Sequence, residues 1–354
     1  MFQIKNSPPI VLMAAMASIF LVQCAEKPTQ HSARPTAYLP VTNGYGYSAQ
    51  PPQTAPGYQL ASYQPTVAQQ NLTLPQPQRP IQPAAQPQQM ANYNPSHGPD
   101  MYFSPANVAM DAPPINATSY ILLNAQTGKV LAARNADAVR GAASTQKILT
   151  ALIVAEAGNL DKPVRVMASD VNVEPSKMGV RPGEVYTRRE LLIGFLVKSS
   201  NDIANVLARD NAGSIPAFAA KMNAKARSLG ATHSNFSNPH GLTAPGQYSS
   251  ARDMACIAMA AYRNQVIRDA VRRRFYSFRF ATTGRVSRLE NTNDLLGTMP
   301  ECTGMKTGYT VLAGRCLISS ASRQGREVIL VQLGTKTKFI WDDGSKLMRW
   351  GLNR

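Results

Sequence analysis

The 354-residue chain is short of acidic groups, of cysteine and of long apolar runs, and each shortage narrows what it can do. Its 20 Asp and Glu stand against 37 Lys and Arg, a formal net charge of +17. There are four cysteines, Cys24, Cys256, Cys302 and Cys316, and no two of them make a Cys-x-x-Cys pair. That argues against a zinc site, and no metal or organic cofactor is implied. Cys302 and Cys316 suit either a bridge or two small strand residues. The apolar run Ile10 to Val22 is too short to span a membrane comfortably. The basic excess comes without RNP, helix-turn-helix or zinc-finger spacing, so nucleic acid is not the expected partner. A carboxylate-rich polymer, anionic lipid headgroups or a merely soluble surface fit the charge equally.

What is present is unevenly spread. Residues 25–112 hold 15 of the 26 prolines and 13 glutamines, with only Glu26, Lys27, Arg34, Arg79, Asp100 and Asp111 charged. Such a segment cannot bury enough apolar surface to offset its ordering entropy, so it reads as a disordered Pro/Gln-rich linker. As a coil it would reach about 50 Å, and about 270 Å fully extended. Residues 1–24 read as an export signal: Lys5 and the amino terminus precede the apolar run, which ends Leu21-Val22-Gln23-Cys24. A Leu-x-x-Cys ending resembles a bacterial lipoprotein signal, which makes Cys24 a candidate acylated anchor. Gln23 departs from the small residue usual before such a cysteine. Ordinary cleavage near Ala25 or an uncleaved anchor are the alternatives. The globular part is then 113–354, with 33 basic and 17 acidic groups.

That part opens as a β-hairpin, Thr118–Asn124 and Lys129–Arg134 about a turn at Gln126-Thr127-Gly128. Thr187 to Glu190 has the form of a capping box before a helix Leu191–Lys198. Further helices are expected over Ile203–Arg209 and from Ser250, where Ser250 and Asp253 again suit a capping box. Three strands, around 304–308, 315–320 and 328–333, are joined by short turns and so are antiparallel. A short helix, Trp341–Leu352, closes the chain. Strands at both ends with helices between predict an α+β layered domain.

The chemistry centres on Ala143-Ser144-Thr145-Gln146-Lys147, which opens an apolar helix running to Glu156. Ser144 lies where backbone N–H groups are unpaired. Lys147, three residues on, projects from the same face. A serine needs a base to become a nucleophile, and a lysine serves only if burial or a second cation lowers its pKa. Alone, Ser-x-x-Lys is far more often an ordinary helix cap followed by a solvated lysine.

Two further motifs change that reading: Ser199-x-Asn201 in an interhelical loop and Lys306-Thr307-Gly308 on a strand. With Ser144-x-x-Lys147, in this order, they resemble the penicillin-recognising serine enzymes, and within them the D-alanyl-D-alanine carboxypeptidases. Ser176-Lys177-Met178-Gly179, Asn238-Pro239-His240-Gly241-Leu242 and Asn291-Thr292-Asn293 support the match, which covers about 115–352. The resemblance implies a β-lactamase/transpeptidase-like fold, an antiparallel sheet flanked by helices. It implies a serine-type enzyme that removes the terminal D-alanine of peptidoglycan stem peptides through an acyl-enzyme and is inhibited by β-lactam antibiotics. Ser144 would be the nucleophile, Lys147 its base and Ser199 a proton relay to the leaving amine. Asn201 would hold the peptide side chain or Lys147. Lys306 would keep Lys147 neutral and attract the substrate carboxylate, with Thr307 hydrogen-bonding it. Gly308 would let substrate lie close to the strand. The backbone N–H groups of Ser144 and Tyr309 would form the oxyanion hole. The implied location is the bacterial cell envelope, with the domain tethered at its N-terminus.

Three rivals share features of this pattern. A class A-like β-lactamase needs a glutamate after Ser-Asp-Asn to activate the deacylating water, and none occurs between Asn201 and Glu290. A peptidoglycan endopeptidase needs the same machinery and is not separated by sequence. A non-catalytic peptidoglycan-binding protein would have no need of an intact Ser144, Lys147, Ser199 and Lys306. His240 permits a Ser-His-Asp arrangement, and Arg181 reads as a loop-fixing ion pair. Only 46 residues follow Gly308, so any anchor is expected before the domain.

Overall fold

The computed structural model describes residues 111–354. The readings of 1–24 as an export signal and of 25–112 as a linker, with Cys24 among them, fall outside the described residues but for Asp111 and Ala112. The elements run β1 Ser119–Asn124, β2 Val130–Arg134, a 3₁₀ turn Ala143–Gln146, α1 Lys147–Glu156, β3 Pro163–Arg165, β4 Val185–Thr187, α2 Arg188–Lys198, α3 Asn201–Ala212 and α4 Ile215–Ser228. They continue with α5 Ala251–Arg263, α6 Gln265–Val271, β5 Phe275–Arg279, β6 Val286–Glu290, the single turn α7 Leu295–Thr298, β7 Cys302–Thr310, β8 Gly314–Arg323, β9 Arg326–Thr335 and α8 Ile340–Gly351.

Five strands form one antiparallel sheet in the order β2-β1-β9-β8-β7, so the first hairpin pairs with the last strand through β1 and β9, and β7 is an edge. Side chains alternate between its faces, and both faces are covered. Ile121, Leu123, Ile318, Ile329 and Val331 pack into the large core with α1, α2, α3 and α5. Tyr120, Leu122, Leu317, Val328 and Leu330 pack with Ile340, Leu347 and Met348 of α8. The result is helix, sheet, helices, as the α+β expectation required.

Local signals explain several element ends. At Thr187 the capping box is complete: Thr187 Oγ1 accepts from Glu190 N and Glu190 Oε2 accepts from Thr187 N at 2.8 Å. At Ser250 only half forms. Ser250 Oγ accepts from Asp253 N at 3.0 Å, but the Asp253 carboxylate turns away to His233 N and Ser234 Oγ. The Cys302–Cys316 bridge is not made, and all three described cysteines are free. The β7–β8 register decides this: Cys302 faces Ala321 while Cys316 faces Gly308, about 17 Å apart along β8.

Candidate active site

The site forms where β7, the first turn of α1 and the α2–α3 junction meet, and its centre is the Lys147 amine. The side chain is fully buried. Nζ lies 2.7 Å from Ser144 Oγ, 2.7 Å from Asn201 Oδ1 and 2.6 Å from the His240 carbonyl oxygen. The two oxygens other than Ser144's can only accept. A neutral amine has two N–H groups and one lone pair, so the two acceptors take both N–H groups. The lone pair is left toward Ser144 Oγ, 2.7 Å away, whose own O–H also has the His240 carbonyl oxygen as an acceptor at 3.2 Å.

Burial holds the Lys147 pKa well below the ordinary lysine value, and the positive charge of Lys306 pushes it the same way; Asp202 opposes them. Asp202 is itself committed elsewhere, accepting from Met178 N and Gly179 N at 2.9 Å each. Among the described residues no carboxylate makes an ion pair with Lys147.

Each partner of Lys147 is fixed by its own segment. Asn201 opens α3; its Nδ2 donates to Pro175 O, which leaves Oδ1 for the amine. Asn201 N donates to Ser176 O at 2.7 Å, so the 175–179 loop is clamped to the first turn of α3. The stretch Asn238–Leu242 is clamped to α1. Gln146 Nε2 donates to Asn238 O at 2.6 Å and Thr150 Oγ1 to Pro239 O at 2.7 Å. Asn238 Oδ1 accepts from Gly241 N at 2.7 Å. Gly241 has φ +88°, and a Cβ there would sit 2.1 Å from Ala143 O. Only glycine lets this loop press its carbonyl onto the Lys147 amine.

The His240 ring takes no part in the chemistry. Its Nδ1 accepts from Leu242 N at 3.2 Å, and burial with the nearby Lys147 pushes its pKa down to about 3. The Ser-His-Asp arrangement is therefore absent. What His240 supplies is its backbone carbonyl, which no sequence motif announces. Arg181 likewise departs from expectation: its backbone N–H, not its guanidinium, bonds Glu184, at 2.8 Å.

Ser199 caps the C-terminus of α2 in the left-handed conformation, φ 64°, and is almost fully buried. It lies two residues before Asn201, and its hydroxyl makes no hydrogen bond among the described residues. Ala143, directly before Ser144, has φ 48°; Met305, directly before Lys306, has φ 91°; Ser176 has φ 63°. Non-glycine residues avoid this region, and each such position costs about 1–3 kcal/mol. Four of the seven in the described chain fall on the segments that build this site.

Lys306 is buried on the edge strand β7. Burial pushes its amine down to about 7, and Nζ donates to Thr307 O at 2.9 Å. Thr307 Oγ1 is 2.6 Å from Thr292 Oγ1, a contact the sequence did not announce. A Cβ on Gly308 would lie 2.8 Å from Ser144 N and 2.9 Å from Thr145 N. Its bareness thus lets β7 lie directly on the turn that carries Ser144. The Tyr309 side chain is half exposed, with the Arg315 guanidinium 4.7 Å above its ring.

With this geometry in place, the comparisons converge. Residues 106–337 match the D-alanyl-D-alanine carboxypeptidase family. D-alanyl-D-alanine carboxypeptidase DacB2 of Mycobacterium tuberculosis is 35% identical over 241 residues, 66% of this chain and 82% of that protein. DacC of Escherichia coli is 35% identical over 70% of this chain and 64% of its own length. A solved D-alanyl-D-alanine carboxypeptidase from M. tuberculosis superposes with a TM-score of 0.66 at 34% identity, covering 71% of this chain and 96% of that one. A Streptomyces DD-transpeptidase does so at 0.65 and 30% identity, covering 69% and 99%. The chain belongs to the D-alanyl-D-alanine carboxypeptidase family, with the penicillin-binding fold and the serine hydrolase activity of its members.

The depressed Lys147 pKa has a measurable consequence for stability. The unfolded chain keeps this amine protonated up to about pH 10.4, whereas the folded chain sheds the proton at lower pH. The unfolded state binds more protons in between, so stability rises with pH through that window. Urea titrations between pH 7 and 10 should show wild-type stability climbing relative to Lys147→Met; parallel curves would refute a depressed pKa.

Proposed function

We propose that Ser144, Lys147 and Ser199 carry the carboxypeptidase reaction on peptidoglycan stem peptides. The observation that supports this most directly is the Lys147 amine, 2.7 Å from Ser144 Oγ with both N–H groups taken by Asn201 Oδ1 and the His240 carbonyl. Ser144 Oγ attacks the carbonyl of the last peptide bond while its proton passes to Lys147 Nζ. The backbone N–H groups of Ser144 and Tyr309 hold the developing oxyanion. As the C–N bond breaks, Ser199 passes a proton on to the leaving D-alanine amine. Water then cleaves the Ser144 ester by the reverse proton path, releasing the shortened peptide. Asn201 holds Lys147 in place, and Lys306 and Thr307 receive the substrate's terminal carboxylate.

A β-lactam would enter the same path and stop at the ester. No glutamate lies between Asn201 and Glu290, and Asp202 is occupied by two backbone N–H groups, so neither is available to activate a deacylating water. The reading also places the protein in the cell envelope, where its family acts, with Cys24 acylated as the anchor and 25–112 as the tether.

Three experiments test this reading. Incubated with benzylpenicillin, the full chain should gain the mass of one antibiotic and release D-alanine from a D-Ala-D-Ala peptide, while Ser144→Ala does neither. An unmodified chain that leaves the antibiotic intact would point to a silent binding protein. Rapid antibiotic consumption without an adduct would mean a β-lactamase. Second, Thr307 has one hydroxyl proton, so it can donate to the substrate carboxylate only by accepting from Thr292 at 2.6 Å. Thr292→Val should raise KM for a peptide with a free C-terminal carboxylate about tenfold, the scale of one charge-assisted bond. Thr292→Ser should restore it, and an ester lacking that carboxylate should be unaffected; an equal loss on both substrates would exclude the role. Third, Cys24→Ser should move the protein from the membrane to the soluble fraction; unchanged sedimentation would count against acylation.

A further inference from the structure

From 270 to 289 the sequence holds six arginines, at 272, 273, 274, 279, 285 and 288, and no acidic residue. They decorate the β5–β6 hairpin and the residues that lead into it, and all six are exposed. The hairpin is amphipathic. Phe278 and Leu289 face the core, where Tyr186 and Phe278 stack at 5.1 Å. The other face presents Arg279 opposite Val286 and Arg288 opposite Ser277. The guanidiniums are braced on aromatic rings. Arg288 lies 3.7 Å and Arg274 5.2 Å from the centroid of Phe275, and Arg285 lies 4.2 Å from that of Phe280. A ring beside a guanidinium lowers the entropy of holding it in place, and Arg279 Nη1 is held by donating to Gly284 O at 3.1 Å. Of these six, only Arg272 has a carboxylate at ion-pair distance among the described residues, Asp269 at 3.7 Å. The one acidic group on the outer face is Glu290, opposite Phe275.

The hairpin is joined to the catalytic groove. Asn291, the residue after β6, donates from N to Arg274 O at 2.9 Å and from Nδ2 to Arg273 O at 2.9 Å. The next residue, Thr292, touches Thr307. The basic face therefore starts one residue from the groove's carboxylate end. It runs out to a tip tied down at Ala281 N to Tyr186 Oη and Thr282 N to Glu184 Oε1, each at 3.2 Å.

We propose that this hairpin is an exosite for the polymeric substrate: it binds the carboxylates of stem peptides neighbouring the one being trimmed. This rests on the peptidoglycan reading above. A carboxypeptidase substrate and its product both end in a free carboxylate, so a strand bearing many stem peptides is a polyanion before and after trimming. Five guanidiniums without an ion-pair partner beside the groove complement that charge and raise the local concentration of stem peptides. The site favours polymer over isolated peptide and does so less at high salt.

The test compares the full chain with the triple variant Arg279→Gln, Arg285→Gln, Arg288→Gln. Turnover of purified peptidoglycan at low salt should fall about tenfold in kcat/KM, the scale of three exposed ion pairs. Turnover of a short D-Ala-D-Ala peptide and acylation by benzylpenicillin should be unchanged, and the Arg→Lys triple variant should retain much of the polymer preference. Co-sedimentation with purified peptidoglycan reads the exosite without catalysis and should be lost in the Gln variant and at 0.5 M salt. Arginine-dependent sedimentation of a wild type that releases no D-alanine would sink the catalytic reading and leave the exosite standing. Unchanged polymer turnover and sedimentation in the Gln variant would overturn the exosite. So would equal arginine-dependent binding to phosphatidylglycerol vesicles, which would make the face a membrane contact.

Discussion

An amine buried without a counter-charge is the constraint on which the rest of this site depends. Moving an ammonium out of water costs several kcal/mol even after relaxation. Two neutral oxygens at 2.6 and 2.7 Å offset part of that cost, but Lys306 adds to it. Losing the proton is the cheaper solution, and the neutral amine is the form that the proposed mechanism uses as a base toward Ser144. The acceptor count completes the device. With two N–H groups occupied, the lone pair has Ser144 as its partner.

Holding three oxygens around one nitrogen, with a second buried amine acting on it, takes backbone from four distant parts of the chain. The 3₁₀ turn and the start of α1 bring Ser144 and Lys147, the α2–α3 junction brings Ser199 and Asn201, the 238–242 loop brings a carbonyl, and β7 brings Lys306. The sheet topology makes this affordable, since β7 is an edge free to lie against the α1 turn through Gly308. The strained residues fall at the joins, at Ala143, Ser176, Ser199 and Met305. The strain is stored in the same segments that aim the reacting groups and is carried by the cores on both faces of the sheet.

Much of this could be read from the residues. The hairpin, the Thr187 capping box and the antiparallel C-terminal strands follow from periodicity and turn chemistry. The Ser144–Lys147 pairing follows from helical spacing. What escaped was whatever depends on backbone atoms or on register. His240 acts through its carbonyl, so the side chain misdirects attention. Cys302 and Cys316 suited a bridge until the strand register set them apart. Asp253 matched a capping box but found better donors at His233 and Ser234. The Thr292–Thr307 contact joins a loop to a strand 15 residues on, a tertiary pairing that no local pattern encodes. The arginines at 272–288 were visible only as part of a net charge; the hairpin gathers them, with Arg279 and Arg288 on its outer face and Arg285 opposite Phe280.

The central claim is that Lys147 is neutral while Ser144 waits for substrate. Its most direct test is an NMR titration of the protein labelled with ¹³C at lysine Cε, with the Lys147 signal assigned by Lys147→Arg. The account predicts a resonance in the neutral-amine position at pH 8, titrating well below the ordinary lysine range. A Lys147 signal that stays charged at pH 8 and titrates near 10.4 with the exposed lysines would contradict it.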